Sequence, residues 1–399
     1  MCQCKDYLLK LNYRKVLLGV FLISTTSTII VITNFSSKFV RKSTSYHNNL
    51  TRQYSFVHVE KKTENIRPLI LLWNPEWGYA KIHRQDGFAA GLCTVTYNQS
   101  RVSEARAVVI HFTDVTRELL EWENKTRNPD QFFVFWSVEA PSYLQYYNTK
   151  AKWYKDDHFF NWTMTYRRDS DIFAPYLEAG VARDIFSRRL KDTGAAVAKK
   201  TRVALWLVSN CNVLYGSVER MKYVDKLIEA GLPVERFGKC FNNAAEFNDL
   251  SLDRLASYKF YLAFENALHC KDYVSEKFWQ NGIQSWRVPV VWGARKEDLL
   301  RLVPENSFIH ADDYETAADL AEYLIYLDNN TTAYTEYFNW FGSNYTTEYL
   351  ATLYERTAET LLCDKLLAKP EPKIIPSVKE NIFSSESEDC LKEKTLIND

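Results

Sequence analysis

Between residues 264 and 282 the chain reads FENALHCKDYVSEKFWQNG, and Glu265, Asn266, Tyr273, Glu276 and Lys277 gather two kinds of acid-base group, an amide and a phenol just beyond the apolar run Tyr258 to Phe264. A helix over about Tyr273 to Asn281, with Asp272 as its N-cap, would place Tyr273, Glu276 and Lys277 on one face at i, i+3 and i+4. An ammonium and a phenol beside a helix N-terminus can receive a diphosphate, and a neighbouring carboxylate suits a ribose diol. The plain alternative for Glu276 and Lys277 is a solvated helix face, but the strand before them and Asn266 favour a site. Ser209, Asn210 and Arg220 form a second cluster, where an arginine can grip phosphate with two donors; taken alone, Arg220 reads as a surface residue. Neither GxGxxG nor GxxxxGK[ST] occurs, so phosphate has to be held by side chains and helix ends.

Apolar, β-branched or aromatic runs bounded by turn residues predict the strands that carry these groups. They are 68–73, 106–112 and 132–139 in the first half, then 202–209, 233–237, 258–264, 288–293 and 308–310 in the second. A helix over about 218–230 alternates with the later strands, which implies parallel sheets of an α/β fold with right-handed crossovers. In such sheets ligands collect beyond the carboxyl ends of the strands, which is where both clusters fall.

A formal charge of zero, with 50 basic and 50 acidic residues, argues against nucleic acid as a partner. Aromatics at 15% suit a sugar-handling surface or a large aromatic core. Val16 to Thr33 carries no charge and is long enough to cross a bilayer, so 1–15 is expected as a cytosolic tail and 16–35 as an uncleaved transmembrane signal anchor. N-x-S/T triplets at Asn49, Asn98, Asn124, Asn161, Asn329, Asn330 and Asn344 all follow the span and agree with a lumenal body. Six of the eight cysteines also lie beyond it, where an oxidising lumen favours pairing, and neither CxxC nor HExxH supports zinc. Residues 36–66 read as a stem, 67–198 and 199–365 as two domains, and 366–399, rich in Pro, Glu, Ser and Lys, as a mobile tail.

FENALHCKDYVSEKFW followed by VPVVWGA resembles the signature of the α1,3-fucosyltransferases, Golgi enzymes that use GDP-fucose. SVEAP (137–141), NWTMTYRRDSDIFAPY (161–176), SNCN (209–212), FGKC (237–240), FIHADD (308–313) and YFNW (337–340) match in the same order. The resemblance implies a GT-B fold of two Rossmann-like domains facing a cleft, and an inverting reaction with no required metal cofactor. It makes Glu139 the general base that activates the acceptor hydroxyl. It makes Arg220, Lys277 and Tyr273 diphosphate contacts, Glu276 a ribose contact, and Asn266, Ser209, Asn210 and Arg168 further donor-site residues. It also implies a type II Golgi membrane protein with GDP-fucose and a glycoprotein glycan as partners, leaning towards the core GlcNAc of N-glycans. In place of the family's CxxC near the domain end stands Cys363 alone, and the expected pairs are Cys93–Cys363 and Cys211–Cys240. Asp169-Ser170-Asp171 could be a metal-binding DxD motif of another transferase class, but belongs here to the YRRDSD block. A transferase for a different nucleotide sugar, a lectin-like binder and a catalytically silent relative are the competing readings.

Overall fold

The computed structural model describes residues 67–73, 84–115, 128–144, 158–341, 356–371, 373–378 and 390. The expected tail, span and stem lie outside these residues, as do Asn49, Asn124 and Asn344. Seven strands build the first sheet: β1 (Leu69–Leu72), β2 (Phe88–Ala90), β3 (Cys93–Thr96), β4 (Ala105–His111), β5 (Phe132–Ser137), β6 (Trp162–Thr165) and β7 (Ile172–Phe173). Their order is β2-β3-β1-β4-β5-β6-β7, and every pair except the β2–β3 hairpin is parallel. Side chains alternate across a strand, and both faces of this sheet are covered. Leu69 and Leu71 enter one core while Ile70 and Leu72 enter the other, and β4 and β5 divide the same way.

The second sheet is wholly parallel: β8 (Arg202–Leu207), β9 (Val234–Phe237), β10 (Tyr258–Phe264), β11 (Val288–Trp292) and β12 (Ile309–His310), in the order β12-β11-β10-β8-β9. Counted from β8, this is the 2-1-3-4-5 order of doubly wound sheets, whose switch point lies between β8 and β10. All seven residues of β10 are buried, as expected of a central parallel strand. Helices α1 (Ala179–Phe186), α2 (Leu190–Val197), α3 (Tyr215–Glu229), α4 (Ala317–Asn329) and α5 (Ala358–Leu367) are the longest described ones.

The two cores do not divide at residue 198. Leu177, Ala182 and Ile185 pack with the second sheet, whereas Leu362, Cys363 and Leu366 of α5 pack with the first. Within the segment expected to be a mobile tail, the described residues 373–378 are seated. Ile375 and Val378 fill the first core, Ile375 N–H donates to Phe160 O (2.8 Å), and Lys373 Nζ reaches Asp171 (2.9 Å). Its prolines and charges suggested disorder, but two apolar residues find a slot beside β5 and β6.

The sulfurs of Cys93 and Cys363 lie 2.04 Å apart and those of Cys211 and Cys240 2.05 Å apart, both at disulfide distance as expected. A third pair, Cys270 and Cys390, was not foreseen and joins the loop after β10 to the tail.

Asn161 corrects one glycosylation expectation. It is 5% exposed, its Oδ1 accepts from Phe133 N–H (2.7 Å) and its Nδ2 donates to Lys373 O (2.7 Å). A glycan on that nitrogen would need the amide pulled from the core. Asn98 and Asn329 are exposed, while Asn330 caps the turn after α4 through Ala333 N–H (3.1 Å). Peptide mapping of the protein secreted from a glycosylating cell is therefore expected to find Asn161 unmodified; a glycan there would contradict this packing.

Candidate functional site

The carboxyl ends of β8 and β10 are tied together by one side chain. Arg220, on the second turn of α3, donates from Nη1 to Phe264 O (2.8 Å) at the end of β10 and from Nη2 to Asn210 O (2.6 Å) beyond β8. Both terminal nitrogens are thus engaged by backbone, and the residue is 2% exposed. Burial draws its pKa down to about 10 despite the nearby Glu265, so it remains a cation at neutral pH. Arg220, expected as a diphosphate contact, is thus a buried cation that also braces the two strand ends. Asn210 Oδ1 accepts from Ser217 Oγ (2.9 Å), which binds this loop to the start of α3, and Ser209 lies half-buried beside it.

Glycine decides how closely α3 approaches. A Cβ on Gly216 would stand 2.7 Å from Asn266 O and 3.0 Å from Ala267 Cα, both backbone atoms. Gly216→Ala is expected to destabilise the fold by about 1–3 kcal/mol through this overpacking, read as a lower denaturation midpoint. An unchanged midpoint would mean the loop has room to give.

Beyond β10, Glu265 is 1% exposed and fully satisfied. It accepts from Ser275 N–H (2.9 Å), Ser275 Oγ (2.8 Å) and Lys277 Nζ (3.0 Å). Lys277 Nζ also donates to Ser275 Oγ (2.9 Å) and Glu276 Oε1 (3.3 Å). Burial opposes the lysine's charge, but Glu265 and then Glu276 outweigh it, and its pKa is pushed up to about 12. Asn266 Oδ1 accepts from the Tyr273 hydroxyl (3.1 Å).

The helix expected from Tyr273 is not formed there. Asp272 sits at φ +60° rather than in a cap geometry, Tyr273 lies in a tight turn in which Val274 N–H donates to Asp272 O (3.1 Å), and the helical turn Lys277–Gly282 is of π type. Tyr273 therefore meets the other groups through the loop and Asn266, not through a shared helix face. The reason is the partner of Asp272: its carboxylate turns away to Arg168, accepting from Arg168 N–H (3.1 Å) and Nε (2.6 Å).

The first sheet supplies the facing wall. Glu139, two residues past β5, is 7% exposed, and its N–H donates to Ser137 Oγ (3.1 Å). Tyr166 and Tyr176, after β6 and β7, hold their rings 5.0 Å and 6.0 Å from that of Tyr273. Burial first, then the charges of Glu139, Glu265 and Glu276, hold the Tyr273 phenol well above its ordinary pKa; burial and then Tyr273 and Glu139 do the same for Tyr176. Both are therefore hydrogen-bond donors at neutral pH, and both feel Glu139, which places that carboxylate within electrostatic reach of the groups on the second sheet.

Arg168 proves to be a strut between the sheets. Besides Asp272 it reaches Asp298 (3.0 Å), whose other oxygen accepts from Asp272 N–H (2.7 Å). The DSD carboxylates are also committed. Arg167, then Lys271, hold the Asp169 carboxyl well below the usual carboxylate range, and Asp171 accepts from Thr163 N–H (3.0 Å) and Lys373.

Several contributors were not singled out from sequence as site residues: Tyr166, Tyr176, Asp298, His269 and Asp312. Tyr176 closes the APY run and Asp312 lies in FIHADD, so the matched blocks contained them without revealing a role. Trp292 fills space, its ring tilted against Phe264 at 5.9 Å. A cleft of about 760 Å³ lined by Tyr314, Tyr323, Tyr326 and Tyr337 runs beside β12 and is lined by none of the residues assigned to the site above.

A family profile described as "Glycosyltransferase family 10 (fucosyltransferase) C-term" matches residues 197–381, and one described as "Fucosyltransferase, N-terminal" matches 65–177. The chain is 36% identical over 295 residues to the 3-galactosyl-N-acetylglucosaminide 4-alpha-L-fucosyltransferase FUT3 of Bos taurus, covering 72% of this chain and 73% of that one. It is 34% identical over 281 residues to the 4-galactosyl-N-acetylglucosaminide 3-alpha-L-fucosyltransferase FUT6 of Homo sapiens, covering 68% and 72%. A crystal structure of an alpha1,3-fucosyltransferase with GDP-fucose is similar with a TM-score of 0.50 at 16% identity, over 81% of this chain and 94% of that one; the likeness is one of fold.

Proposed function

Since the chain belongs to the glycosyltransferase family 10 fucosyltransferases, we propose that it moves L-fucose from GDP-β-L-fucose to the 3-hydroxyl of a GlcNAc in a glycoprotein glycan, giving an α1,3 linkage. The observation that carries this reading is the meeting of Lys277, Asn266 and Tyr273, at the switch point of the second sheet, with the field of Glu139 from the first.

Donor and acceptor enter between the sheets in a GT-B arrangement. Lys277 releases part of its hold on Glu276 to face the diphosphate, Tyr273 turns its one hydroxyl proton from Asn266 Oδ1 to a phosphate oxygen, and Glu276 is left for the ribose. Arg220 adds positive charge from beneath without leaving its carbonyls. These cations offset the charge that grows on departing GDP, the task a metal performs in other transferases, and no metal is required here. Glu139 takes the proton of the acceptor hydroxyl as that oxygen attacks fucose C1 from the side opposite GDP, which inverts the anomeric centre.

The acceptor proposed is a 4-galactosyl-GlcNAc, because the human relative above is named for 3-fucosylation of that group, whereas the bovine one is named for 4-fucosylation of a 3-galactosyl acceptor; this replaces the lean towards core GlcNAc. A Golgi membrane, with the body lumenal behind a single span at 16–35, is the proposed setting. The apolar run and cysteine pairs at disulfide distance support it.

The test is incubation with GDP-fucose, with and without EDTA, across lactosamine and core N-glycan acceptors. Transfer to the 3-hydroxyl of galactosyl-GlcNAc that survives EDTA supports the reading. Loss with EDTA refutes metal independence, use of core GlcNAc refutes the acceptor, and no transfer by a GDP-binding protein refutes the activity.

A further inference from the structure

The loop between β10 and the π turn brings its two ends together, since Asn266 near its start accepts from Tyr273 at its end. The reversal needs two residues in left-handed backbone, His269 at φ +45° and Asp272 at φ +60°, and neither is glycine. Such residues persist where their surroundings over-determine them. Asp272 is held by Arg168 and Asp298, as described above. His269 is held from the other side: its N–H donates to Gly293 O (2.6 Å), its carbonyl accepts from Arg295 Nε (2.6 Å), and its ring Nε2 lies 2.7 Å from Asp312 Oδ2. A carboxylate only accepts, so the imidazole donates there.

Asp312 is placed firmly enough to act as an anchor. Its N–H donates to His310 Nδ1 (3.3 Å), and His310 Nε2 donates to Ala294 O (2.9 Å). Backbone packing leaves the loop little slack, because a Cβ on Gly293 would stand 2.7 Å from Ala267 O, as one on Gly216 would from Asn266 O. A shift at His269 is therefore passed to Asn266 and Tyr273.

We propose that His269 and Asp312 are positioning residues that hold the donor-binding loop in shape, so that Asp312 governs nucleotide affinity without touching the nucleotide. The inference rests on the donor-site reading above and gives the FIHADD block a task.

The experiment compares the full chain with its Asp312→Ala and Asp312→Asn variants, since asparagine keeps an oxygen for the imidazole to donate to. Hydrogen exchange of residues 265–273 is measured without nucleotide, followed by GDP affinity and by KM for GDP-fucose and for a lactosamine acceptor. In Asp312→Ala, exchange is expected to quicken in that loop and both GDP Kd and donor KM to rise about tenfold, with acceptor KM within about twofold of the wild type. Asp312→Asn is expected to return most of each change. Unchanged exchange in the loop overturns the proposal, as does a loosened loop with unaltered GDP affinity, or an asparagine variant that behaves like alanine. A wild-type chain that binds no GDP sinks the donor-site reading and the affinity claim together. A wild-type chain that binds GDP no better than Asp312→Ala sinks this inference alone.

Discussion

Glu139→Gln is expected to slow fucose transfer by roughly a hundred- to ten-thousand-fold, the usual worth of a positioned general base. The substitution keeps the shape of the side chain and leaves the backbone bond to Ser137 Oγ in place. It removes the ability to accept a proton and the negative charge that Tyr273 and Tyr176 feel. Because the acceptor hydroxyl ionises only as it attacks, the loss should fall on kcat, with KM for GDP-fucose near the wild-type value. GDP binding, measured by calorimetry, should likewise be preserved. A variant that keeps more than about a tenth of the wild-type rate would show that another group takes the proton.

Lys277→Met is expected to damage both the fold and the site. Glu265 is buried and would lose its counter-charge, and stranding one member of a buried pair costs about 3–5 kcal/mol. Denaturant unfolding would read that loss. Adding Glu265→Gln should return most of the stability, because a neutral amide no longer needs the ammonium and can still accept from Ser275 N–H. It should not return GDP affinity, since the cation for the diphosphate remains absent. The pH dependence has a definite sign. A lysine pKa raised to about 12 in the folded state, against about 10.4 unfolded, contributes stability that is present below pH ~10.4 and fades as pH rises towards 12. The stability gap between the wild type and the double variant should therefore shrink across that window. A Lys277→Met protein as stable as the wild type would refute the pairing, and a double variant with wild-type GDP affinity would refute the role in donor binding.

What the sequence revealed follows from burial. YKFYLAF was readable to the residue because every position of β10 is buried, so its apolar run has the strand's own bounds. By contrast, β6 and β7 went unread, since WTMT and IF are short and stand among polar residues. The crowded chemistry of 265–277 was legible as a site from residue types and its place after a strand. Its geometry was not, because helical spacing predicts a shared face only if Asp272 starts a helix. That residue instead points at Arg168, 104 positions away. Arg168 entered the donor site through the resemblance alone, and its tie to Asp272 left no local signal at that separation. Asn161 matched a surface triplet while its amide was spoken for by Lys373 O, 212 positions along the chain.

The way α5 and the segment after it complete the first sheet bears on how the chain is made. Leu362, Cys363 and Leu366 cover one face of that sheet and Ile375 and Val378 the other, while among the described residues the second sheet's core draws on Phe173 to Phe341. During synthesis the half that leaves the ribosome first must wait, uncovered, for the last part to arrive, and the half made second can close before it. The usual order, in which earlier domains finish first, is reversed. A chain stopped soon after Phe341 would carry a finished nucleotide-side core joined to a sheet with apolar patches still open on both faces, a form exposed to aggregation.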